Sequence, residues 1–203
     1  MKSKINVHLI RVFGIIAIVA LIGFSIIACN KSGGRSGSSS VSESSKSGGG
    51  GGKSINSAED LKEYLDKQPA NSPDNPIKVS MGANAPMFPK IKEVLNSAGK
   101  YVSLNLTGNA LTTIPDFAFR DENKRKGCET IVSVIIPDSV SSIGGSAFEY
   151  CTNLTSVTIG NSVKSIWMSA FAYCTKLTSV NIPNSVTNID NGAFFRCTSL
   201  TSW

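Results

Sequence analysis

Four cysteines, Cys128, Cys151, Cys174 and Cys197, follow one another at intervals of 23 residues, and the sequence between them repeats with them. Aligned on cysteine, the units read CETIVSVIIPDSVSSIGGSAFEY (128–150), CTNLTSVTIGNSVKSIWMSAFAY (151–173) and CTKLTSVNIPNSVTNIDNGAFFR (174–196), followed by a partial CTSLTSW. Self-similarity at a fixed period of a few tens of residues marks a chain built from stacked coils, because one short unit cannot bury its own apolar face. The slots that stay the same are apolar. In the second unit they are Leu154, Val157, Ile159, Val163, Ile166, Ala170 and Phe171, with Cys174 opening the next. Val157 and Ile159 alternate with period two, which predicts a short strand with its apolar side inward. Pro137, Gly160 and Pro183 end these strands. A turn then carries Val163 and Ile166 inward, and Ala170-Phe171 is expected in a short helical turn that plugs the core with phenylalanine. Stacking three or more such coils gives a continuous core and a parallel sheet with strands about 4.8 Å apart.

Residues 101–127 read as a degenerate first unit, with one extra residue near Leu111 and a six-residue insertion before Cys128. Residues 55–100 are expected to form a small α/β cap over the first coil, as a solenoid requires. Ser57 followed by Asp60 predicts a helix over 58–67, Ile77–Ser80 a strand, and PKIKEVLNSA (89–98), stopped by Gly99, a second helix. Residues 29–54, almost all Ser, Gly and Lys, cannot bury apolar surface and read as a tether. Residues 1–28, with Lys2, Lys4 and Arg11 before or at the edge of an uncharged apolar run, read as an export signal.

Composition narrows the function classes. The signal holds three basic residues and no acidic one, so its removal takes the net charge from +6 to +3. The basic balance is then no argument for nucleic-acid binding. His8, the one histidine, leaves with the same segment. Without it the chain has no Ser-His-Asp or Cys-His machinery and no histidine metal ligand, so no catalytic residue, metal or cofactor is expected. Evenly spaced cysteines differ from the clustered spacings of metal sites. They are expected as small core side chains, with disulfides between neighbouring coils as the alternative.

The repeats resemble the BspA-type leucine-rich repeats of bacterial surface lipoproteins, treponemal and Bacteroides-like members among them. Ile26-Ile27-Ala28-Cys29 is similar to the lipoprotein box cut before its cysteine. The resemblance implies a leucine-rich repeat solenoid over 101–203 and lipidation at Cys29. It further implies a cell-envelope location at the outer membrane or cell surface, held by a lipid anchor. A plain signal anchor with an incidental cysteine is the other reading of the box. The family resemblance also implies non-catalytic adhesion to host matrix proteins of fibronectin or fibrinogen type, or to other cells. The alternative is an envelope structural role, with self-association through the C-terminal repeat edge.

Candidate contact residues lie where the copies differ or face outward. Ser133 and Ile135, Ser156 and Thr158, and Ser179 and Asn181, with Ser103 and Asn105 in the degenerate unit, alternate with the core slots and should line the outer face of the sheet. Trp167-Met168 stands where the other units have Gly144-Gly145 and Asp190-Asn191, so it should place apolar surface in water. Tyr150 and Tyr173 should stack at coil edges, and Lys124-Arg125-Lys126 reads as a solvated basic loop. The sequence stops mid-repeat at Trp203, which leaves three readings: Trp203 lids the last coil, the edge pairs with another chain, or the coding sequence is truncated.

Overall fold

The computed structural model describes residues 55–202. The signal, Cys29, the tether and Trp203 lie outside the described residues. Helix α1 (Ala58–Asp66) starts where the Ser57 hydroxyl accepts the Asp60 N–H at 3.0 Å. This satisfies one of the N–H groups that a first helical turn leaves without a partner. It buries Ala58, Leu61 and Leu65. Strand β1 (Ile77–Gly82) turns Val79 and Met81 inward. Helix α2 (Phe88–Ala98) follows a short 3-10 turn and ends at Gly99, whose φ of 59° is the left-handed conformation a helix C-terminus favours.

The first coil contributes β2 (Val102–Thr107), β3 (Thr113–Ile114), β4 (Arg120–Asp121) and β5 (Lys126–Gly127). The next three contribute β6 (Ile131–Ile135) with β7 (Ser142–Ile143), β8 (Ser156–Thr158) with β9 (Ser165–Ile166), and β10 (Ser179–Asn181) with β11 (Asn188–Ile189). A five-stranded parallel sheet runs β1-β2-β6-β8-β10, so the segment before the repeats supplies its first strand. A second parallel sheet of two-residue strands, β3-β7-β9-β11, forms another side of each coil. The residues expected as a plain turn around Val163 and Ile166 are thus partly a strand. The insertion of the first unit is an antiparallel hairpin, β4 against β5.

The Ala-Phe segments are turns and not the expected helical turns. Ser146 and Tyr150 have φ of 53° and 61°, and Ser169 and Tyr173 repeat this at 56° and 59°. A left-handed residue interrupts helical propagation. The N–H groups accordingly alternate in use. Those of Ala147, Glu149 and Cys151 close local turns on Gly144, Ser146 and Phe148. Those of Ser146, Phe148 and Tyr150 donate to the Met168, Ala170 and Ala172 carbonyls of the next coil, at 3.0, 2.7 and 2.9 Å. The coils are therefore hydrogen-bonded to one another along this side as well as through both sheets.

The core is a stack of like on like. Phe119, Phe148, Phe171 and Phe194 form a column with ring centroids 5.0–5.3 Å apart. Phe88 of α2 continues it edge-on at 5.3 Å from Phe119. Helix α2 also meets the polar need of the first coil, which has no earlier coil to donate to its turn carbonyls. Lys92 Nζ donates to the Arg120 carbonyl at 2.6 Å and to that of Phe117 at 3.4 Å.

Candidate functional site

Strand alternation and register together compose the outer face of the main sheet. Leu104, Val134, Val157 and Val180 point to the core, so their neighbours point out. One row of outward residues runs Lys78, Ser103, Ser133, Ser156, Ser179, and a second runs Ser80, Asn105, Ile135, Thr158, Asn181. The eight sheet residues expected at this face are all on it. Sequence reasoning left out the first rung. Lys78 and Ser80 come from β1, whose pairing with β2 no repeat pattern announces. A depression of about 460 Å³ lies at this end of the sheet, with Lys78, Ser80, Ser103, Asn105, Ser133 and Ile135 among its lining residues. Ile135 is 45 % exposed, an apolar side chain amid hydroxyl and amide groups.

Trp167 and Met168 are exposed at 47 % and 59 %, as the departure from the repeat predicts. They follow β9 on a different side of the coil from the main sheet, so the two sets of candidate residues do not form one site. Their neighbours in adjacent coils are set by main-chain bonds. Trp167 N–H donates to the Ile143 carbonyl, Ser146 N–H to that of Met168, and Asp190 N–H to that of Ile166. A notch of about 360 Å³ is lined there by Asp116, Gly145, Trp167, Met168 and Asp190. Replacing Trp167 and Met168 together by serine is expected to change the melting temperature little, because both already face water. A large loss of stability in a thermal melt would instead make them packing residues.

All four repeat cysteines are free thiols, and Cys128, Cys151 and Cys174 are fully buried. Cys174 donates to the Phe148 carbonyl at 3.2 Å and Cys197 to that of Phe171 at 3.1 Å, so each thiol reaches back to the preceding coil. Burial pushes the Cys151 and Cys174 thiols well above the ordinary 9.0, and neighbouring thiols add to the rise. Burial also lifts Cys197, to about 11. A thiol protonated in the fold but ionising at 9.0 when unfolded binds more protons in the native state above that pH. Its contribution is intact below pH 9.0 and is lost as pH rises towards and through 11. The urea midpoint should therefore hold below pH 9.0 and fall above it, less steeply in Cys174→Ala. Residues 55–203 should titrate four thiols when denatured, and few of them at once when native.

Tyr150 and Tyr173 stack at 4.6 Å as expected, and Phe195 meets Tyr173 edge-on at 5.5 Å. Lys124, Arg125 and Lys126 are exposed around the turn of the β4–β5 hairpin, where Lys124 pairs with Asp121 at 3.7 Å. No repeat slot or motif announces that Arg120, at the base of that hairpin, pairs with Glu149 of the next coil at 2.8 Å. Their side chains are only 20 % and 10 % exposed, and the guanidinium also donates to Ser146 Oγ at 3.3 Å. Removing one partner of so enclosed a pair strands the other charge, so the pair reads as a tie between coils. Among the described residues, no group of three or more His, Cys, Asp or Glu side chains is placed to hold a metal.

The family described as "BspA type Leucine rich repeat region" matches residues 112–203, in six copies. Residues 112–203 are a BspA-type leucine-rich repeat region. The match starts within the degenerate unit, at residue 112. A leucine-rich repeat protein of Bacteroides capillosus is similar at 35 % identity over 46 % of this chain and 63 % of its own, with a TM-score of 0.39. Another from Bacteroides ovatus shows 28 % identity over 62 % of this chain and 30 % of its own, with a TM-score of 0.47. A leucine-rich repeat protein of T. pallidum shows 24 % identity over 66 % of each chain, with a TM-score of 0.42. The chain thus spans less than two thirds of the length of each of these relatives. No curated protein matches. Leucine-rich repeat domains in general mediate protein–protein interaction.

Proposed function

We propose that this is a non-catalytic cell-surface binding protein, lipid-anchored at Cys29, whose BspA-type repeats bind a protein partner. The intended partners are host matrix proteins of the fibronectin or fibrinogen type, or surface proteins of other cells. The observation that carries the reading is the pair of continuous outward rows on the five-stranded sheet, ending in the depression beside Lys78 and Ile135. Parallel strands hold these side chains in fixed register, so a partner meets a preorganised surface and little order has to be imposed on binding. Serine, threonine and asparagine supply donors and acceptors, and Ile135 supplies the apolar contact they lack. The test is a binding screen of residues 55–203 against immobilised fibronectin and fibrinogen. Ile135→Asp and Thr158→Lys should reduce capture, and capture indifferent to both would remove the sheet face from the proposal.

A second reading has the protein assemble with other envelope proteins through its last coil. Ile189 and Phe195 favour it, being 45 % and 52 % exposed where the preceding coil buries Ile166 and Ala172. Protease shaving of intact cells separates the two. Release of the repeat region supports the surface reading, and protection supports the internal one.

A further inference from the structure

We propose that the notch beside Trp167 takes the arginine or lysine side chain of a protein partner. This rests on the reading of the repeats as a protein-binding scaffold, but it concerns a different side of the coil from the sheet rows. The notch exists because neighbouring coils carry different residues in one column. Asp116, Gly145, Met168 and Asn191 occupy corresponding places in successive coils, and Gly144, Trp167 and Asp190 occupy those just before. Gly145 supplies no side chain, so its coil forms the floor. Trp167 and Met168 form a wall, and Asp116 and Asp190 stand among the lining residues on the coils to either side.

The two carboxylates are fixed. Asp116 Oδ1 accepts the Gly145 N–H at 2.6 Å, and Asp190 Oδ1 accepts the Asn191 N–H at 2.7 Å. Each is therefore held by main chain, with no cationic side chain in the lining to neutralise it. Lys92, near Asp116 on the side of α2, is engaged by the Phe117 and Arg120 carbonyls. An exposed indole, a thioether and two anchored carboxylates match one occupant chemistry. The indole face attracts a cation, a carboxylate at either end of the notch draws it in, and the alkyl stem lies against Met168. A purely apolar partner would desolvate both carboxylates without compensation, and an anionic lipid surface or nucleic acid would be repelled by them.

The test uses the full chain with Trp203→Phe, which leaves Trp167 as the one tryptophan. The probes are the capped peptide acetyl-Gly-Arg-Gly-amide and its Glu counterpart, followed by the indole N–H resonance. The Arg peptide should give a saturable shift and the Glu peptide none. Asp116→Asn with Asp190→Asn should weaken binding about three- to ten-fold, as expected for the loss of exposed electrostatic attraction. Gly145→Leu should abolish it by filling the notch, with the melting temperature as the check on folding. A Cβ at Gly145 meets nothing closer than 3.5 Å, so the backbone admits a side chain there. No saturable shift, an equal response to the Glu peptide, or binding that survives Gly145→Leu would each overturn the proposal. Arg-peptide binding with no matrix protein captured would leave the notch standing and remove the scaffold reading. Capture of a matrix protein with a silent peptide would do the reverse.

Discussion

Phe148→Ala is expected to lower the unfolding free energy by about 3–5 kcal/mol, the usual cost of emptying a buried phenylalanine site. Phe148 is fully buried between Phe119 and Phe171, stacked at 5.0 and 5.1 Å. Truncation removes both ring contacts at once, and neither neighbour can close the gap, because each is held in its own coil by the turn ladder. The control is Phe195→Ala, the same chemistry at a ring that is 52 % exposed and meets Tyr173 by its edge. It should cost under about 1 kcal/mol, as surface changes usually do. Urea denaturation followed by circular dichroism compares the two. Equal costs would mean that the phenylalanine column is not what holds the coils together.

The second large effect is expected from one methyl group. Gly160→Ala places a Cβ 2.5 Å from both the carbonyl carbon and the oxygen of Pro137 and 2.7 Å from Asp138 N. Those are backbone atoms of the preceding coil, so no rotamer change relieves the contact. A loss of about 1–3 kcal/mol or more is expected from such overpacking. Gly145→Ala, on another corner, meets only the Met168 carbonyl at 3.5 Å and Asp116 Oδ1 at 3.6 Å, which is ordinary contact. It should stay within about 0.5 kcal/mol of the parent. Thermal melts of both variants decide the matter, and a neutral Gly160→Ala would show that the coils separate more easily than their spacing implies.

The parts of the fold legible in the sequence are those where a residue type recurs because its surroundings recur. Val157, Phe171 and Cys174 repeat because each sits on its own copy in the coils to either side. Helices α1 and α2 were legible from the Ser57 cap, the proline start and the Gly99 stop. The second sheet was not. Its strands are two residues long and bury a single side chain, as at Ile143 and Ile166, so no alternation exists to be seen. The turn ladder was hidden for another reason. It depends on left-handed serine and tyrosine residues, which are unusual outside glycine and carry no signature of that conformation. Of the candidate contact residues, alternation alone assigned Ser133 through Asn181 to one face. The partners that complete each surface, Lys78 on the sheet and Asp116 beside Trp167, come from elsewhere in the chain and are joined only by folding.

The hairpin of the first coil shows how this architecture admits foreign sequence. In the second coil the Cys151 N–H donates to the Phe148 carbonyl, three residues back. In the first coil the corresponding Cys128 N–H donates to the Phe119 carbonyl at 2.7 Å, across the whole insertion. The chain leaves the solenoid and returns to it between the same two points, and the Phe119–Ala147 bond to the next coil is kept. The corner just before each cysteine is therefore a splice point. A loop grafted between Tyr173 and Cys174 would project from the solenoid with its ends already clamped together, which makes the repeat a scaffold for display as well as for contact.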